Sequence, residues 1–170
     1  PEAGGVAKGH KAHVMVAGVG EEAKLLERGK LFTKAMAVCC KQKYATGVYT
    51  SGVVFEPRFY EGLADMLKED ELPIFNWIWF GLYRSEKGIC GYTYGMDVFG
   101  FDEMEVLDAD ADPSAVRDFL ASMVEYVLSG RVTLHDGETI GFSAEDKHAI
   151  TRSPGVALPV MTLKISYSAL

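Results

Sequence analysis

Leu72-Pro73-Ile74-Phe75-Asn76-Trp77-Ile78-Trp79-Phe80-Gly81-Leu82-Tyr83-Arg84 is the stretch on which the fold of this chain turns. Phe75, Trp77, Trp79 and Tyr83 alternate with Ile74, Ile78, Phe80 and Leu82, so a strand over residues 72–84 is apolar on both faces. Such a strand belongs in the middle of a covered sheet or has one face committed to a partner. Ser85-Glu86-Lys87-Gly88 then turns the chain back into residues 89–94, which predicts an antiparallel hairpin. A further strand over residues 103–107 follows the glycine-rich segment 95–100.

Upstream, residues 13–18 read as a first strand and a helix-favouring stretch begins at Glu21. Leu25, Phe32, Met36 and Cys39 fall at spacings of seven, four and three, one helical face that should be core. Residues 44–49 read as a short strand ending at the Thr50-Ser51-Gly52 turn. Pro57 suits a first helical turn and opens a helix that carries Phe59, Leu63, Met66 and Leu67 inward. Downstream, Asp112, Pro113 and Gly130 mark a third helix by cap, first turn and left-handed stop. Its apolar stripe is Val116, Phe119, Leu120, Met123, Tyr126 and Val127. Residues 131–141 predict a hairpin around His135-Asp136-Gly137-Glu138, residues 143–146 a helical turn, and residues 160–167 a closing strand.

The 170 residues suffice for one sizeable core, and a single domain over 1–170 is expected. With 48% hydrophobic and 24% charged residues the composition is that of a globular chain. No apolar run approaches the roughly 18 residues of a membrane span. A net charge of −7 argues against a nucleic-acid partner, whose phosphates are bound by Lys and Arg. Cys39, Cys40 and Cys90 make no even framework, which points to a reducing cytoplasm. The chain begins at Pro1, so a native N-terminal segment, including a strand, is expected to precede it.

The familiar catalytic templates each lack a necessary member. Gly18-Val19-Gly20-Glu21-Glu22 resembles a dinucleotide turn, but two glutamates stand where a pyrophosphate would sit. Asp108-Ala109-Asp110-Ala111-Asp112 resembles a calcium loop with Pro113 in the glycine position and Phe119 in place of the closing carboxylate. His10, His13, His135 and His148 show no zinc spacing. Cys39 and Cys40 lie near a helix C-terminus, which disfavours a thiolate; Cys39 lies on the apolar stripe and Cys40 is turned about 100° from it. Ser153-Pro154-Gly155 is not a nucleophile elbow. No metal, cofactor or catalytic residue is therefore expected.

Two features remain. Glu103 and Glu105 share one side of their strand behind Asp97 and Asp102, an arrangement that serves acid–base chemistry or, more plainly, makes the solvated face opposite Met104 and Val106. Phe75, Trp77, Trp79 and Tyr83, with Tyr92 and Tyr94 on the next strand, have the area to wall a pocket or anchor an interface or, more plainly, make core beneath the helices. Asn76 among them needs a hydrogen-bond partner if buried.

His10-Lys-Ala-His13, Leu72-Pro73, Thr93-Tyr94-Gly95-Met96 with Phe99-Gly100, Glu103-Met-Glu105 and Leu134-His-Asp-Gly-Glu-Thr-Ile-Gly141 with Ser143 together resemble a bacterial domain family of unknown function, the DUF4261 type. The resemblance covers most of the chain after His10. It implies a bacterial α/β domain without established catalytic residues, and the family type suggests a defence or toxin-neutralising setting.

The fold expected is α/β (α+β): a two-layer sandwich with a mixed, mostly antiparallel sheet, residues 72–84 central in it, and two or three helices packed on it. The function expected is a non-catalytic interaction or ligand-binding module with a protein or small-molecule partner, homodimerising if a sheet edge is left open. Its candidate binding residues are Asn76, Trp77, Arg84, Thr93, Tyr94, Asp97, Glu103 and Glu105. The alternative is a small hydrolase that uses Asp97, Glu103 or Glu105 near Thr93 and Tyr94, with Arg84 as an anion anchor.

Overall fold

A computed structural model describes residues 3–21, 24–141 and 147–167. The chain divides into two compact units, residues 1–79 and 80–170.

The first unit holds α1 (Ala3–Gly9), α2 (Leu25–Cys40), a hairpin of β1 (Val48–Thr50) and β2 (Val53–Phe55), α3 (Pro57–Ala64) and a single helical turn, α4 (Ile74–Trp77). Ser51 and Gly52 form the two-residue hairpin loop with φ of 49° and 75°. That pair of positive values is what a tight antiparallel connection with native twist requires. Glu56 caps α3 by accepting from the Phe59 amide at 2.8 Å, and Pro57 occupies the first turn.

Residues 13–18 are not a strand: no ladder partner pairs with them among the described residues, and Val14 and Met15 stand 80% and 83% exposed. A strand without a neighbour has nothing to hold it in water. In α2 the buried positions are Thr33 and Cys40, with Cys39 only partly covered. The helix is rotated from the expected stripe because Thr33 Oγ1 accepts the Trp77 indole N–H at 2.6 Å. In α3 the inward residues are Tyr60 and Ala64, while Phe59 lies on the surface, stacked on Phe55.

Residues 72–84 are not one strand. Pro73 precedes α4, whose turn closes through the Ile78 amide on the Ile74 carbonyl at 2.8 Å. This local bond buries Ile74 and Trp77 without a sheet neighbour. Only β3 (Trp79–Arg84) pairs as a strand, and it lies at one edge.

The second unit is a six-stranded sheet in the order β3, β4 (Ile89–Tyr94), β5 (Glu103–Ala109), β8 (Met161–Ile165), β7 (His148–Pro154) and β6 (Thr139–Ile140). Only β5 and β8 run parallel; the other pairs whose register is defined are antiparallel, so the expected α/β class and mostly antiparallel mixed sheet hold. The central positions belong to β5 and β8. The hairpin at residues 85–88 closes as expected, with the Ser85 amide on the Gly88 carbonyl at 2.9 Å.

Helix α5 (Pro113–Gly130) packs against β4 and β5. Gly91 is bare because a Cβ there would stand 2.9 Å from Leu120 and from Val116. Val116, Leu120, Met123 and Val127 of the expected stripe are fully buried, each such side chain contributing about 1.5–3 kcal/mol. Tyr126 is 48% exposed instead, and Val124 and Leu128 fill the face. Asp112 precedes the helix without a side-chain cap bond, and Arg131 (φ 50°), not Gly130, takes the left-handed stop. Residues 135–138 turn as expected, but β6 then pairs with β7 rather than folding back within 131–141. The helical turn expected at residues 143–146 lies outside the described residues.

Replacing Thr33 by Val is expected to cost about 1–3 kcal/mol, the penalty for removing the hydroxyl that accepts the buried Trp77 N–H. Urea unfolding followed by tryptophan emission measures it.

Candidate functional site

Strand β5 carries the two glutamates on which the site depends, and neither is solvated. Glu103 is 5% exposed and Glu105 is fully buried, so the amphipathic reading of this strand is overturned. The cause is pairing on both sides: Glu105 sits opposite Tyr92 on β4 and Lys164 on β8.

Glu103 anchors the turn that follows β4. One carboxylate oxygen accepts from the Gly95 and Met96 amides at 2.7 and 2.9 Å, and the other from the Thr93 hydroxyl at 2.7 Å. Thr93 Oγ1 accepts the Met104 amide at 2.8 Å in turn. Gly95 (φ 118°) and Gly100 (φ 82°) bracket the helical turn Met96–Phe99, conformations open mainly to glycine. Burial pushes the Glu103 carboxyl above its ordinary value; the Thr93 hydroxyl and the turn amides offset this only in part, and nearby Asp97 adds to it.

Glu105 is held differently. Both its oxygens accept the Val156 amide at 3.1 Å, one accepts the Ala157 amide at 2.9 Å, and Lys164 Nζ lies 3.3 Å away. Lys164 also donates to the Ser153 and Pro154 carbonyls and to Thr162 Oγ1 at 3.0, 2.6 and 2.6 Å. Burial alone would raise the Glu105 carboxyl, but the Val156 and Ala157 amides and then Lys164 outweigh it and hold it below its ordinary value. The Ser153-Pro154-Gly155 segment, no nucleophile elbow, thus leads into the amides that clasp a buried carboxylate.

Beside the Glu103 turn lies a cleft of about 340 Å³. Met104 on β5, Leu163 on β8 and Val127 on α5 line it with apolar surface, joined by Phe101 and Leu134. Asp97 and Asp102 supply its acidic groups. Asp102 is bound bidentately by Arg152, whose Nε and Nη2 donate at 2.6 and 3.2 Å, and Asp136 accepts the Arg152 amide at 2.7 Å. Asp97 accepts the Val98 amide through Oδ1 at 2.9 Å.

Of the residues singled out by sequence, Thr93 and Glu103 are in contact, Asp97 lies on the turn they hold, and Tyr94 is 48% exposed at the end of β4. Glu105 belongs to the separate Lys164 network. Arg84 sits at the hairpin end of β3, four residues of β4 from Thr93, roughly 14 Å along the strand. Asn76 and Trp77 belong to the first unit, where Asn76 Nδ2 donates to the Tyr60 carbonyl at 3.2 Å. Asn76 Oδ1 has no hydrogen-bond partner among the described residues, and the buried Tyr60 hydroxyl faces Thr33. Burial lifts that phenol to about 12, and Cys40 beside it to about 11, so the thiol stays protonated. Leu134, Arg152 and Lys164 escaped sequence reasoning as site residues because parallel pairing and the path from α5 to β6 bring them in across long separations.

His148 is buried, its Nδ1 2.7 Å from the Ser166 carbonyl and its ring against Phe119 and Tyr167. Among the described residues no three His, Cys, Asp or Glu side chains gather closely enough to hold a metal ion. No helix among them is long and apolar enough to cross a membrane.

Residues 92–166 match the family model of a domain of unknown function, DUF4261. This segment is of the DUF4261 type. It begins in β4 and ends just past β8, so it takes in both glutamates and every residue of the cleft, but not His10, His13, Leu72 or Pro73. No curated protein and no solved structure matches the chain significantly.

The two glutamates predict opposite pH behaviour. Glu105, depressed in the fold, stabilises above the ordinary carboxylate range and loses that contribution as pH falls through its folded value. Glu103, raised in the fold, loses its contribution as pH rises through its folded value. The stability deficit of Glu105→Gln therefore shrinks on acidification, and that of Glu103→Gln shrinks as pH rises; urea melts across the acidic range separate them.

Proposed function

We propose that the DUF4261-type segment is a non-catalytic binding module of a bacterial cytoplasmic protein and that the cleft beside the Glu103 turn is its working surface. The observation that carries this reading is that the acceptor oxygens of Glu103 and Glu105 are taken up by backbone amides, a hydroxyl and Lys164. A general acid or base needs a free oxygen facing its substrate. The cleft supports binding in its own right: an apolar floor with a few polar groups at the wall is the usual make-up of a ligand site. Cys39, Cys40 and Cys90 are all free thiols, which supports a reducing compartment.

The second reading, a small hydrolase, draws on Asp97 and Asp102 lining a cleft next to a carboxyl that burial has raised. Its test is turnover of simple p-nitrophenyl esters by the wild-type chain that disappears in Asp97→Asn.

Thr133 is exposed and lines the cleft, so Thr133→Trp covers it with little effect on the core. Native mass spectrometry of the protein captured from its host is expected to show a stoichiometric companion mass that the Thr133→Trp chain loses. A companion retained equally by both chains moves the binding surface elsewhere.

A further inference from the structure

We infer that the cleft accepts the side chain of an arginine or lysine presented by a protein partner, an inference that rests on the cleft being the binding surface. Its apolar floor lies over Met104, Val127 and Leu163, which expose only 1%, 1% and 3% of their surface, and what it offers a ligand comes from the half-buried Phe101 and Leu134. Such a floor suits the aliphatic stem of a long basic side chain, which buries its methylenes and keeps its charge at the rim. The volume, about 340 Å³, lies at the small end of ligand pockets and leaves room for one long side chain.

The charged end has a ready place on the wall formed by residues 97–102. Asp102 already holds the Arg152 guanidinium in a two-pronged contact, so a guanidinium is the group this wall recognises within its own chain. Among the described residues Asp97 has no such cation: Oδ1 accepts the Val98 amide, and Oδ2 has no hydrogen-bond partner there. Its charge also acts on Glu103 behind the turn, and a cation on Asp97 would offset that repulsion. The chain's net charge of −7 adds a long-range attraction for a basic partner.

A polypeptide source fits better than a free amine because the wall continues outward into apolar surface. Val98, next to Asp97, is 58% exposed, and Phe101 and Leu134 are half-buried at the cleft. Residues flanking a basic side chain would cover this rim.

The test is an NMR titration of the full chain with acetyl-arginine-amide and with acetyl-citrulline-amide, nearly isosteric and lacking only the charge, read at the methyl groups of Met104, Leu134 and Leu163. A leucine-arginine-leucine peptide is titrated beside them. The arginine compound is expected to shift these methyls and the citrulline compound to leave them in place. The flanked peptide is expected to bind about tenfold more tightly than the single residue, a difference of about 1.4 kcal/mol. Asp97→Asn is expected to abolish the preference for arginine over citrulline while other methyl resonances stay put. Equal shifts from citrulline would overturn the inference and leave the cleft as an uncharged binding site. No shift at the cleft, or shifts only elsewhere, would overturn both. Equal affinity for the flanked peptide and the single residue would overturn the protein partner in favour of a small cation.

Discussion

A carboxylate taken out of water in the middle of a sheet must be surrounded by donors or give up its charge. Strand β5 carries two, and much of the second unit follows from the two ways in which they are accommodated. Glu105 keeps its charge: two amides from the segment after β7 and the ammonium of Lys164 close around it. The Lys164 contacts tie β5, β8 and the end of β7 together at one level of the sheet. Glu103 receives neutral donors only and is pushed toward its protonated form.

What Glu103 secures is the chain between β4 and β5. With its oxygens on the Gly95 and Met96 amides, the turn Met96–Phe99 is set against the sheet, and Asp97, Phe101 and Asp102 come to the cleft. The opposite side of the cleft comes from α5 and the residues just after it, where the left-handed Arg131 redirects the chain toward Leu134. The cleft thus exists because a buried acid organises one wall and a helix stop organises the other. Of its own aspartates, Asp102 meets an arginine of the same chain and Asp97 stands exposed on the turn.

The first unit solves a similar problem with neutral groups. The Trp77 N–H reaches Thr33 on α2, and Asn76 reaches the Tyr60 carbonyl on α3, so the single turn of α4 is joined to both helices. These bonds explain why a stretch that alternates like a strand coils instead. A helical turn closes its own backbone bond while delivering Ile74 and Trp77 to the interior.

Local chemistry made part of this protein legible in its residues alone. The α/β class, the hairpin at residues 85–88, the strand carrying Glu103 and Glu105, and the span of α5 all follow from periodicity, turn residues and proline placement, which act within a few residues. The pairing of Thr93 with Glu103, and Asp97 beside them, was legible in part because one turn spans them. Strand order, the burial of both glutamates, the break in residues 72–84 and the far placement of Arg84 were decided only by tertiary structure. Each depends on which strand lies beside which: β8 reaches β5 only after α5, β6 and β7 have intervened, and no local pattern records that Lys164 will stand opposite Glu105.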